Sequence, residues 1–260
     1  MSAADWAGRD LGERTVAYDE KDAILYALAV GAAATDLDLV FEDRLRVLPT
    51  FGLTLAQWAP DVLAAAGAFD DRAVHGSQTL EVHRPLPRTG ELRLSARVGD
   101  VWDKGSAAIF DVIVECDEFT ATWSLFAPGF GGFGGERGPA QAASAERPVG
   151  RRSVVQTFAT QAALYRLTGD RHHIHIDPEA SARIGHPTPI LQGLCTLAAT
   201  TLALAAEQGA HPADLIALQG RFSGPVIPGD ALDLESWPDG AFELRRDGVS
   251  VISDGRAVFA

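Results

Sequence analysis

The sequence predicts an α+β protein made of two similar copies, each a helix followed by antiparallel strands. Three observations carry this. First, the halves align at a constant spacing of 139 residues, with Tyr26 on Tyr165, Leu28 on Leu167, Gly90 on Gly229 and Glu91 on Asp230. Leu55, Ala59 and Leu63 fall on Leu194, Ala198 and Leu202, and Val112 and Ile113 on Val251 and Ile252, which reads as an internal duplication. Second, each half carries an apolar run at helical spacing and then several β-rich runs. Third, residues 128–150 shift abruptly to glycine and proline. The 260 residues therefore divide into an N-terminal half (1–127), a connecting segment (128–150) and a C-terminal half (151–260).

In the first half, residues 54–66 have helical spacing, with Pro60 either breaking the helix or marking its effective start. Residues 79–83, 92–101, 107–116 and 119–126 read as strands, with a turn at Pro87-Arg88-Thr89-Gly90. The run Gly129-Phe130-Gly131-Gly132-Phe133-Gly134-Gly135 denies regular structure. It is either a linker or a loop folding its backbone over a ligand. In the second half, 194–208 reads as a helix, and 215–222, 231–235, 242–245 and 249–259 as strands. Ile227-Pro228-Gly229-Asp230 repeats the turn signal.

Composition excludes several classes. Hydrophobic residues make up 47%, ordinary for a globular chain. Thirty-five acidic residues against 22 basic give a net charge of −13, which disfavours docking to nucleic acid or anionic membranes. Cys116 and Cys195 cannot build a disulfide framework, so a reducing compartment is expected. Met1 to Trp6 lacks the features of a secretory signal, and no peroxisomal address closes the chain. The apolar stretch 194–206 is too short to span a bilayer and carries three threonines. The expectation is a cytoplasmic protein.

The chemistry concentrates in the second copy. Within 170–177 lie three of the seven histidines, His172, His173 and His175, and two carboxylates, Asp170 and Asp177. Residues 30–36 of the first copy, which align with 169–175, have only Asp36, and Asp170 falls on Gly31. An imidazole and a carboxylate five positions apart on an irregular loop can converge on one water or substrate proton. The blander alternatives are Asp170 as a turn residue and Asp177-Pro178-Glu179 as the start of a short helix. A metal site built on the three histidines competes, but no known zinc spacing is present.

Other chemistries find no support. No GxSxG occurs, Cys195 lies in an apolar helical run, and neither a P-loop nor a dinucleotide fingerprint is present. Gly193, after Pro189-Ile190-Leu191-Gln192, opens the second helix, either as a plain helix entry or with backbone N–H groups free for a developing oxyanion.

The run Gly169-Asp170-x-His172-His173-Ile174-His175-x-Asp177-Pro178 resembles the signature of the hydratase 2 family of MaoC-like proteins, the (R)-specific 2-enoyl-CoA hydratases. So do Tyr26 to Ala32, His75-Gly76-Ser77-Gln78, Arg84-Pro85-Leu86-Pro87, Lys104-Gly105, the glycine run, Ile190 to Leu197 and Arg221-Phe222-x-x-Pro225-Val226-x-Pro228-Gly229.

The resemblance implies a double hot-dog fold and reversible syn addition of water to a trans-2-enoyl-CoA. Asp170 and His175 would activate the water, and the N–H of Gly193 would hold the thioester oxygen. His75, Gly76, Lys104 and Phe222 would contact acyl-CoA, though an ordinary turn histidine and a surface lysine remain alternatives. No cofactor or metal is implied, and a homodimer is expected. The sequence departs from the family at His172-His173, where Asn-Pro is usual, and at Gln192, where histidine is usual. His172 and Gln192 are therefore possible supporting residues. Dehydration of 3-hydroxyacyl-CoA or carrier-protein thioesters, and non-catalytic binding of acyl thioesters, are the alternative functions.

Overall fold

The computed structural model describes residues 1–139 and 147–260. The part of the connecting segment at 140–146 lies outside the described residues. Ten strands form one antiparallel sheet. The first half contributes β1 (Asp10–Tyr18), β2 (Val74–Val82), β3 (Gly90–Asp103), β4 (Ala107–Glu115) and β5 (Phe119–Pro128). The second contributes β6 (Arg151–Gln156), β7 (Leu215–Phe222), β8 (Ala231–Ser236), β9 (Ala241–Arg246) and β10 (Val249–Phe259). Their order is β1-β3-β4-β5-β2-β7-β10-β9-β8-β6. Reading outward from β2 and β7, each half repeats the same succession, so the halves join along one ladder, Ser77 to Glu81 against Arg221 to Ala217.

The two outermost strands, β1 and β6, escape the sequence reading. Only Val155 is buried in β6 and only Tyr18 in β1, because an edge strand lacks the burial that produces alternation. The constant spacing of 139 also fails beyond the first turn. Strand β3 has 14 residues and β8 has 6, so the second hairpin is shorter. Val112 and Ile113 consequently lie on β4, whereas Val251 and Ile252 lie on β10, whose counterpart by position is β5. Those two matches are chance agreements between β-branched runs.

The helices are α1 (Glu20–Val30), α2 (Leu37–Val40), α3 (Phe51–Leu55), α4 (Trp58–Ala65), α5 (Gln161–Tyr165), α6 (Pro178–Arg183) and α7 (Gly193–Gln208). The helix expected over 54–66 is split into α3 and α4. Pro60 has no N–H for the Ala56 carbonyl, so helix cannot run through that point. It is tolerated in the first turn of α4, where N–H groups lack intrahelical acceptors anyway.

Helix α7 keeps its full length of 16 residues and is buried on nearly every face over its first three turns. Its threonines stay buried by bonding backward: Thr196 to the Gln192 carbonyl and Thr200 to that of Thr196. Gly209 ends it in a left-handed cap. The halves also meet through aromatic rings, with Tyr26 5.9 Å from its sequence counterpart Tyr165 and 5.0 Å from Phe51. Among the described residues no helix is long and apolar enough to cross a membrane.

Candidate active site

The loop between α5 and α6 brings Asp170 and His175 together. A short 3-10 turn spans His173–His175 and buries the His175 ring. Its Nδ1 lies 2.8 Å from the Ile190 carbonyl, and a carbonyl only accepts, so Nδ1 carries the proton and donates. That leaves Nε2 with a lone pair, 3.8 Å from Asp170 Oδ2. The separation is too long for a direct hydrogen bond and short enough for one water to contact both atoms. Burial lowers the His175 pKa from its ordinary value and His172 adds to this, while Asp170 and the Ile190 carbonyl oppose it. The net shift is downward, so the ring is a neutral base at neutral pH.

His172 occupies a structural role that an asparagine also fills. Its Nδ1 accepts from the Ile174 N–H at 3.4 Å, capping the turn that holds His175. Its own N–H donates to Asp170 Oδ1 at 3.2 Å. The rings of His172 and His175 stand 6.1 Å apart. No group of three or more His, Cys, Asp or Glu among the described residues is placed to hold a metal ion. Asp177 caps α6 by accepting from the Glu179 N–H at 2.8 Å, which is the blander of its two readings.

Gly193 stands at the first position of α7, and the first backbone bond back to the preceding segment comes from Thr196, to the Gln192 carbonyl. The N–H groups of Gly193, Leu194 and Cys195 therefore point outward with no backbone acceptor. Gln192 is fully buried; its Nε2 donates to the Ala162 carbonyl at 3.2 Å, and its Oε1 has no partner. Over Gly193 lies Phe222, so close that an added Cβ would sit 3.0 Å from the ring. The β2–β7 ladder then brings His75, whose ring packs 4.7 Å from Phe222 in an edge arrangement. His75 Nε2 donates to the Ser77 carbonyl at 3.1 Å. Burial pushes its pKa down to about 4, so it meets Phe222 as a neutral ring. Gly76 lies within the same strand, against the Ser124 carbonyl.

Lys104 belongs to a different cluster. It sits in the β3–β4 turn, with its Nζ donating to the Arg137 carbonyl, and among the described residues it makes no hydrogen bond or ion pair with the other candidates. The glycine run folds back onto this turn. The Asp103 carboxylate accepts N–H bonds from Gly105, Gly132 and Gly134, each at 2.8 Å. These bonds, led by that from Gly132, hold the Asp103 pKa below its ordinary value. A Cβ on Gly131 would stand 2.4 Å from the Ala107 carbonyl, so the packing requires glycine there. Residues 129–135 are thus anchored to their own half.

Sequence reasoning missed the Ile190 carbonyl, because backbone groups leave no mark on side-chain pattern. It also missed an open cavity of about 560 Å³ beside the loop that carries Asp170 and His175, walled by β1, α1, α3 and α4 and reaching Thr168 and Gly169. Arg14, Trp58 and Asp61 line it. Burial raises the Asp61 pKa and Asp170 adds to the rise, while His172 and Arg14 oppose it.

Comparison with known proteins finds relatives over nearly the whole chain. Residues 16–127 match the MFE-2 hydratase 2 N-terminal domain, and residues 140–255 match the MaoC like domain. The chain is 36% identical to enoyl-CoA hydratase ChsH3 of Mycobacterium tuberculosis, over 96% of this chain and 92% of that protein. It is 35% identical to the peroxisomal multifunctional enzyme type 2 of Mus musculus over 90% of this chain, but spans only 34% of that longer protein.

A MaoC-like dehydratase from Phytophthora capsici superposes with a TM-score of 0.87 at 24% identity, covering 99% of this chain and 97% of that one. A Mycobacterium tuberculosis protein described as a double hotdog superposes with a TM-score of 0.57 at 15% identity, covering 100% and 98%. These two establish the fold alone, a double hot-dog. With its two domain matches and a relative of nearly equal length, the chain belongs to the MaoC-like, hydratase 2 family.

Proposed function

We propose that this protein is a hydro-lyase that reversibly adds water to trans-2-enoyl-CoA, giving (R)-3-hydroxyacyl-CoA. The observation that carries the reading is the fixed His175 tautomer, with Nδ1 spent on Ile190 and Nε2 turned to Asp170. A water held between Asp170 Oδ2 and His175 Nε2 gives up a proton to Nε2 as its oxygen bonds to C3. The C2–C3 π electrons move toward the carbonyl, and the thioester oxygen takes up enolate charge. The free N–H of Gly193 stabilises that oxygen. The proton then passes from the Asp170/His175 pair to C2 as the carbonyl re-forms, so one water has been added in all. Delivery of both parts from one pair makes the addition syn. The reverse sequence dehydrates a 3-hydroxyacyl thioester through the same groups.

His75, Gly76 and Phe222 would shape the thioester end of the site, and Lys104 would serve the CoA moiety from the β3–β4 turn. In this reading the enzyme needs no cofactor, works as a homodimer, and acts in the cytoplasm on small thioesters rather than on nucleic acid or membranes. The net charge of −13 and the two unpaired cysteines support that setting. The test is loss of enoyl absorbance with crotonyl- and decenoyl-CoA. Turnover abolished in both Asp170→Asn and His175→Ala, and unchanged by chelators, is the expected result. Binding of every enoyl thioester without turnover refutes the assignment.

A further inference from the structure

The cavity beside the catalytic loop has a wall that a plain hydrocarbon chain would satisfy poorly. Its size lies within the ordinary range for small-molecule sites. Its apolar lining includes Tyr18, Leu25, Phe51 and Leu55, and it opens against Gly169, next to Asp170. Of the three charged residues in that lining, Asp22 is spent at the start of α1, accepting from the Asp19 N–H at 3.1 Å, and two of opposite sign remain. Arg14 projects from β1 and lays its guanidinium over the Trp58 ring at 4.8 Å, and Asp61 projects from α4. Neither residue makes a hydrogen bond or ion pair with any described residue. The fold thus presents an unspent carboxylate and an unspent five-donor cation to one space. An alkyl chain filling that space would strip water from both charges and return no hydrogen bond.

We propose that this cavity receives the acyl part of the substrate and selects acyl groups bearing a neutral oxygen function, such as a hydroxyl, remote from the thioester. A hydroxyl can donate to Asp61 and accept from Arg14, which neither an alkyl chain nor a carboxylate can do. Phe51, Leu55 and the Trp58 ring hold the carbon skeleton around it. The proposal rests on the thioester reading above but concerns only the far end of the substrate. It also gives the N-terminal half a task of its own, since every lining residue except Leu167, Thr168 and Gly169 comes from that half.

Calorimetry with saturated acyl-CoAs tests binding without turnover. The probes are a twelve-carbon acyl-CoA, the same chain with one mid-chain or terminal hydroxyl, and the same chain ending in a carboxylate. At least one hydroxylated chain should bind about tenfold tighter than the plain chain, the worth of one charged hydrogen bond. That advantage should collapse in Asp61→Ala, in Arg14→Ala, or in both, with the fold of each variant checked by circular dichroism. The proposal is overturned if no hydroxylated chain is favoured, if the carboxylate chain binds best, or if the advantage survives both substitutions. Crotonyl-CoA hydration by the native enzyme is a separate readout. Its absence would sink the hydratase reading and leave the binding comparison to be judged by itself.

Discussion

Gly193→Ala is the most informative single perturbation of the site. The new methyl would stand 3.0 Å from Phe222 Cδ1 and Cε1, where ordinary contact needs at least about 3.4 Å. The ring cannot simply swing aside, because His75 packs against it at 4.7 Å. Overpacking of this kind costs about 1–3 kcal/mol. Replacing glycine by alanine in a helix returns up to about 1 kcal/mol. The net stability loss is therefore modest, at most about 3 kcal/mol, and the variant should fold.

Activity is a different matter. Relief of the clash must move the start of α7 by some tenths of an ångström, and with it the N–H proposed to hold the thioester oxygen. Loss of one such donor lowers kcat by about 10²–10³-fold. Steady-state hydration of crotonyl-CoA, alongside a thermal melt, separates the two effects. Phe222→Leu in the alanine background makes room for the methyl and should recover part of the lost rate relative to Phe222→Leu alone, a coupling read from the double-mutant cycle. Full activity in Gly193→Ala, or no coupling to position 222, would refute the assignment of this N–H.

Three further outcomes follow from the geometry. Because burial lowers the His175 pKa, the base form persists as pH falls through the ordinary histidine value of 6.5, and the acidic limb of kcat should lie below that value; a midpoint at or above 6.5 contradicts the neutral-base role. His172→Asn should keep the cap on the catalytic turn and stay within about 0.5 kcal/mol of native stability, whereas His172→Ala should cost about 1 kcal/mol; equal melting of the two variants would remove the capping explanation. Asp103→Ala removes the acceptor of three N–H groups, from Gly105, Gly132 and Gly134, and should lower the melting temperature with faster proteolysis within 129–137; unchanged cleavage there would show that the carboxylate does not anchor the loop.

The two-copy α+β plan was legible because a helix and the inner strands bury one face, and burial writes its period into the residues. The turn signals at Gly90 and Gly229 reinforce it. Where burial is weak, as along β1, the pattern vanishes and the strand goes unread. The constant spacing between halves was readable only as far as the halves keep equal hairpins. Past β3 it matched Val112 to Val251, which the sheet order separates.

At the site, the clustering of Asp170 with His172 and His175 in one copy, and a glycine opening α7, were determined by the sequence itself. Local spacing alone brings such groups within reach of each other. Tertiary structure decided the rest, because it depends on contacts between residues far apart in the chain. Only packing sets the Ile190 carbonyl on His175 Nδ1 and so chooses which nitrogen keeps its lone pair. The β2–β7 ladder places His75 and Phe222 over Gly193. After the break at Ala56 and Gln57, α4 puts Asp61 into the lining of the cavity that Arg14 also lines. Hydrogen-bond direction, burial and charge pairing are properties of the assembled fold, and they give the histidine of a recognisable motif one favoured tautomer.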